Sequence, residues 1–64
     1  MSYEPTDRDD EIEQGIYDMQ QLAIRLEAGG LAVWAQYAYE TIKDLKSYRS
    51  PEYVEFLKQQ GFAL

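Results

Sequence analysis

Apolar residues recur at helical spacing along two long segments of the chain. In the first segment they follow one another in steps of four, three, four and three residues, the heptad spacing of a helix that packs along one face. This spacing predicts a first helix over about residues 8–28, and Leu22 widens its apolar face. The positions that define the face are Ile12, Ile16, Met19, Ala23 and Leu26.

The same spacing returns directly after Gly29 and Gly30 and predicts a second helix over about 31–48. Two helices joined by a two-residue glycine turn must fold back antiparallel. The resulting register sets Met19 against Ala38, Ile16 against Ile42, and Leu26 against Val33 or Trp34. The apolar positions of the second helix are Leu31, Ala35, Ala38, Ile42 and Leu45.

Residues that favour helix ends mark the limits of these segments. Thr6 or Asp7 is suited to cap the first helix, with an aspartate three residues on completing a capping box. Ser50 followed by Pro51 predicts the start of a short third helix, over about 51–60. Gly61 ends it, and the next residue, Phe62, stands where a Schellman motif places an apolar contact.

Gly15 lies inside the first helix, where glycine costs about 1 kcal/mol relative to alanine. The hairpin register places it opposite Asp44 and near Tyr48. We interpret Gly15 as making room for an aromatic ring, although a tolerated weak spot is the simpler alternative.

The elements predict one all-α domain of 64 residues, an antiparallel helical hairpin plus a short third helix, with a flexible acidic N-terminus over 1–7. So small a core is only marginally stable. The chain has neither cysteine nor histidine, which excludes disulfides and argues against a structural zinc. We therefore expect a homodimer, built as a four-helix-type bundle. The core of the hairpin or dimer is predicted to contain Ile12, Ile16, Met19, Leu26, Ala38, Ile42 and Leu45.

Acidic residues are concentrated near the start of the chain. Residues 4–18 carry seven carboxylates and a single base, Arg8, and they account for the whole net charge of −6. An acidic protein has no cation surplus with which to displace counterions, so direct binding of nucleic acid is disfavoured. The longest uncharged stretch, 28–39, is too short to span a bilayer, and no secretory signal precedes it. We expect a cytoplasmic protein with no membrane partner.

Three interpretations fit the acidic stretch to different degrees. A calcium loop starting at Asp7 would need glycine at its sixth position, where Ile12 stands. A mimic of duplex phosphates would need about 17 charges over 30 Å of helix, more than this stretch offers. A helix start accounts for most of the acids, which favour the positive end of the helix dipole. We also predict that Asp9, Asp10 and Glu13 form a docking patch for a basic partner.

The chemistry for catalysis is sparse. Without histidine and cysteine the usual base, nucleophile and metal ligand are missing. The Gly29-Gly30 pair lacks the residues that follow it in nucleotide-binding loops. The sequence therefore predicts no enzymatic activity, no cofactor and no metal site.

Aromatic residues are abundant in the second half of the chain. Exposed tyrosine and tryptophan are typical of interface hot spots. The alternative is that they form a homodimer core and pack the third helix. The predicted partner-binding aromatics are Trp34, Tyr37, Tyr39, Tyr48, Tyr53 and Phe56.

These features predict a small, acidic, non-catalytic regulator or inhibitor that binds a protein through an aromatic helical surface and an acidic patch. A nucleic-acid-mimicking inhibitor of the phage type, aimed at a nucleic-acid-binding protein, is the first alternative. A structural assembly subunit is the second.

Overall fold

The computed structural model describes residues 3–63, which form three α-helices: α1 (Asp7–Ala28), α2 (Ala32–Ser47) and α3 (Pro51–Gln59). The predicted all-α class is confirmed, and each predicted boundary is right to within one residue. α1 and α2 pack against each other as the predicted hairpin. Met1 and Ser2, part of the N-terminus predicted to be flexible, lie outside the described residues.

The turn between α1 and α2 depends on Gly30, whose φ of +77° lies in the left-handed region that favours glycine. The Gly30 N–H donates to the Glu27 carbonyl at 3.0 Å, and the Leu31 N–H donates to the Leu26 carbonyl at 2.9 Å. These two bonds form a Schellman motif, which satisfies carbonyls at the end of α1 and reverses the chain.

Small residues bring α1 and α2 close together. Ala23, Ala35 and Ala38 are buried between the helices, together with Ile16 and Ile42. Met19 and Ala38 border one groove, and so do Leu26 and Trp34, in agreement with the predicted register.

Gly15 is packed differently from the prediction. A Cβ atom built there would meet Leu45 Cδ1 at 3.5 Å, an ordinary contact and the only one within 4 Å among the described residues beyond the adjoining residues and backbone of α1. The interpretation that Gly15 makes room for an aromatic ring is therefore wrong, because the Leu45 side chain occupies that space.

α3 begins and ends as predicted. The Ser50 Oγ accepts a hydrogen bond from the Tyr53 N–H at 3.2 Å, and Pro51 occupies the first turn. At the other end Gly61 has a φ of +84°, and the Phe62 N–H donates to the Leu57 carbonyl at 3.1 Å. Leu57 is buried, but the Phe62 ring stays exposed.

Candidate functional site

An apolar groove runs along one side of the hairpin and has a volume of about 310 Å³. We call it the aromatic groove because two aromatic rings form its outer wall. The residues that line it are Met19, Leu22 and Leu26 of α1, and Trp34, Tyr37, Ala38 and Thr41 of α2.

Trp34 and Tyr37 form the aromatic wall. Their ring centroids lie 5.8 Å apart with the planes tilted by 60°, a favourable geometry for an aromatic pair. The side chains are 60% and 56% exposed, although both belong to residue types that usually bury most of their surface. Thr41 donates its hydroxyl to the Tyr37 carbonyl at 3.0 Å, so its polar group is satisfied and its methyl group can line the groove.

Helical periodicity explains why these residues share a flank. Trp34, Tyr37 and Thr41 are spaced by three and four residues, so they form one row along α2. The buried residues Ala35, Ala38 and Ile42 follow the row by one residue and face α1. The same sequence pattern therefore sets both the core and the aromatic wall beside it.

Helical spacing places three carboxylates beside residues that line the aromatic groove. Asp18 lies one turn before Leu22 on α1, while Glu40 and Asp44 lie three and seven residues after Tyr37 on α2. All three carboxylates are exposed, and Asp18 accepts a hydrogen bond from the Gln14 amide at 2.9 Å. We call these three residues the acidic rim.

Tyr39 lies on the opposite flank of α2, away from the aromatic groove. It lines a second cleft with Glu27, Ala32, Ala35 and Gln36. The neighbouring Glu27 carboxylate favours the protonated hydroxyl and so raises the pKa of Tyr39. Lys43 and Lys46 follow Tyr39 by four and seven residues, so this flank carries two cations as well as the Glu27 carboxylate.

Asp9 serves the fold rather than an exposed patch. Its side chain is only 2% exposed and accepts hydrogen bonds from the Thr6 N–H, at 2.9 Å, and from the Tyr3 hydroxyl. The Thr6 hydroxyl in turn accepts from the Asp9 N–H at 3.2 Å, which confirms the capping box. The bond from the Thr6 backbone, followed by that from Tyr3, lowers the pKa of Asp9. Burial removes Asp9 from the predicted docking patch.

Glu13 is likewise engaged within the chain. The Arg49 guanidinium donates to its two carboxylate oxygens at 2.7 and 2.8 Å, a bidentate geometry. Nearby, the Arg8 guanidinium donates to the Tyr48 carbonyl at 2.9 Å. Of the three predicted patch residues only Asp10 is exposed, so fewer unpaired carboxylates lie at this patch than the sequence indicated.

Two aromatic residues predicted to bind a partner instead pack within the chain. Tyr53 is buried, Phe56 is half-buried, and the Tyr3 ring lies 6.1 and 5.7 Å from their centroids. This cluster attaches the N-terminal segment to α3. Tyr48, in contrast, is exposed as predicted, with its side chain on the flank that carries Tyr37.

Sequence reasoning missed the role of Tyr3. The residue stands three positions before the cap Thr6, outside the helix whose periodicity could be read. A hydrophobic staple would place an apolar residue directly before the cap, so no short-range rule reaches Tyr3. The one signal in the sequence for this role was an isolated aromatic residue three positions before a strong helix cap.

The described part of the chain shows no metal-binding arrangement: among residues 3–63, no three acidic, histidine or cysteine side chains are grouped so as to hold an ion. None of the helices in that range combines the length and the apolar character needed to cross a bilayer.

Comparison of the chain with protein-family models, with curated proteins and with solved structures found no match. The aromatic groove and the charges around it are therefore the features of this chain that bear on its function.

Proposed function

We propose that this chain is a small, non-catalytic regulator or inhibitor that binds a protein through the aromatic groove. The observation that supports this proposal most strongly is the pairing of Trp34 with Tyr37, both more than half exposed, above an apolar cleft. Rings of this kind bury large areas when a partner covers them, and they dominate the energetics of many interfaces.

The exposed acids near the start of α1 have a supporting role in this proposal. Asp7, Asp10 and Glu11 are exposed, and a partner with a basic surface would be attracted to them. Long-range attraction of this kind mainly raises the association rate, while burial of the rings slows dissociation. Salt should therefore change the rate of binding more than the lifetime of the complex.

Nucleic-acid mimicry receives less support from the charges. Asp9 is buried and Glu13 is paired with Arg49, so two of the seven carboxylates in 4–18 are already engaged. The remaining carboxylates are too few for the about 17 charges of an equal length of duplex. We therefore regard nucleic-acid mimicry as less well supported than binding of a protein partner as a regulator.

A second copy of the chain is another occupant that would cover the aromatic groove. Two hairpins joined at this face would form the four-helix-type bundle of a homodimer or of a structural assembly subunit. Sedimentation equilibrium tests this arrangement directly, because a dimer has twice the 7.5 kDa mass of the chain. Loss of the dimer in Trp34→Ala would place the contact at the groove.

Comparative capture from lysate of the producing cell tests the proposed function. Tagged wild type is compared with a Trp34→Ala/Tyr37→Ala variant and with an Asp10→Asn/Glu11→Gln variant, at low and at high salt. We expect a stoichiometric protein that survives high salt and is lost only with the groove variant. Equal capture by the groove variant and wild type would refute the proposal.

A further inference from the structure

The charge around the aromatic groove differs from the charge on the other side of the hairpin. Asp18, Glu40 and Asp44 flank the groove, and Arg25, three residues after Leu22, is a base beside them. The lysines of α2 follow Tyr39 on the opposite flank. The α2 edge of the aromatic groove is therefore negative, while on the α1 edge Arg25 offsets the charge of Asp18.

The dimensions of the groove define the shape of that occupant. Its α1 wall extends from Met19 to Leu26, which is about 10 Å or two helical turns at 1.5 Å per residue. A third helix laid between α1 and α2 would present apolar residues at positions i, i+3 or i+4, and i+7 over this length. Its flanking residues would then lie over the acidic rim.

We propose that the aromatic groove takes a basic amphipathic helix of a partner protein, with lysine or arginine on the side of its apolar stripe that lies over α2. This inference rests on the proposed function and names the partner class for that same site. A second copy of the chain fits the rim less well, because its own Asp18, Glu40 and Asp44 would approach like charges.

Designed peptide helices test the inference, with the emission of Trp34, the single tryptophan of the chain, as the signal. Two capped peptides of about 18 residues, long enough to populate a helix, share one leucine stripe and contain no aromatic residue. One peptide carries lysine and the other glutamate beside the stripe. At low salt we expect the basic peptide to shift the emission to the blue and to bind at least about ten times more tightly.

Two triple variants distinguish the effect of the acidic rim on peptide binding from the effect of the net charge of the protein. Asp18→Asn/Glu40→Gln/Asp44→Asn removes the rim, and we expect the preference for the basic peptide to fall below about three-fold. Glu4→Gln/Glu52→Gln/Glu55→Gln removes three exposed acids elsewhere, reaches the same net charge and should keep the preference. Tyr37→Ala should weaken binding of the basic peptide at least about ten-fold.

Several results would overturn the inference. Equal affinity for the two peptides would overturn the preference for a basic helix. The groove would still be a helix-binding surface, so the proposed function would stand. A preference that persists in the rim variant, or binding that Tyr37→Ala leaves unchanged, would place the attraction elsewhere. Absence of binding by the basic peptide would also refute the inference. An emission shift that depends only on protein concentration would refute it too, because it would identify a second copy of the chain as the occupant.

Discussion

The guanidinium of Arg49 holds the carboxylate of Glu13 through two hydrogen bonds of 2.7 and 2.8 Å. The two residues are 36 positions apart, and their contact joins the loop after α2 to the first half of α1. The Arg49 side chain is only 10% exposed, so the guanidinium of the pair is shielded from solvent. It closes the open end of the hairpin, opposite the glycine turn.

We expect Arg49→Ala to destabilise the fold by about 1.5–3 kcal/mol, the range for hydrogen bonds to charged groups, because Glu13 then lacks its partner. Arg49→Lys keeps the charge but loses the bidentate geometry, and its cost should be intermediate. Urea denaturation measures both. Lys58→Ala, at an exposed site on α3, serves as the control and should change stability by less than about 0.5 kcal/mol. An Arg49→Ala variant as stable as the control would contradict this role for the pair.

The Thr6 cap gives a second prediction. Thr6→Ala removes the acceptor for the Asp9 N–H at the start of α1 and should cost about 1 kcal/mol of unfolding free energy. Thr6→Asn keeps a good capping side chain and should restore most of that loss. Thermal unfolding followed by circular dichroism compares the two variants. Equal destabilisation by Thr6→Ala and Thr6→Asn would show that the lost stability does not come from the capping hydrogen bond.

The lowered pKa of Asp9 predicts a loss of stability in acid. Its carboxylate binds a proton less readily in the folded chain than in the unfolded chain, where the pKa is near 3.8. The stability that this carboxylate contributes is therefore complete above the pKa of the unfolded chain, and it is lost as the pH falls through the lower pKa of the folded chain. Wild type should lose denaturant resistance more steeply than Asp9→Asn below about pH 4, and Tyr3→Phe should lie between them. Parallel slopes for wild type and Asp9→Asn would refute the linkage.

The two glycines Gly15 and Gly30 should respond in opposite directions to alanine. Gly15→Ala adds a methyl group at an ordinary 3.5 Å contact with Leu45 and should stabilise α1 by about 0.5–1 kcal/mol. Gly30→Ala forces a side chain into a φ of +77° and should cost about 1–2 kcal/mol. Denaturant midpoints measure both effects. A destabilising Gly15→Ala would indicate that Leu45 cannot adjust.

Much of the fold was predictable because its signals are local. Thr6, Ser50 and Gly61 act within a few residues of the helix ends they set, and the apolar spacing identifies the buried face without knowledge of distant contacts. The aromatic wall was predictable for the same reason. Trp34 and Tyr37 stand beside the core row of α2, in a pattern that helical geometry makes visible.

The misassigned residues depend on contacts that a pattern cannot show. Glu13 was expected to be free because its partner, Arg49, comes 36 residues later in the chain. Asp9 was expected to be exposed because the sequence shows its charge but not the hydrogen bond from Tyr3. Tyr53 and Phe56 looked like interface aromatics because the position of Tyr3 beside them could not be derived from spacing.

Photo-crosslinking in the producing cell tests whether the aromatic groove binds another protein. A benzoylphenylalanine placed at Tyr37 probes the aromatic groove, and the same group placed at the exposed Lys58 of α3 is the control. We expect the probe at position 37 to crosslink to one other protein that the probe at position 58 does not reach. Crosslinks only to a second copy of the chain, or the same products from both positions, would contradict it.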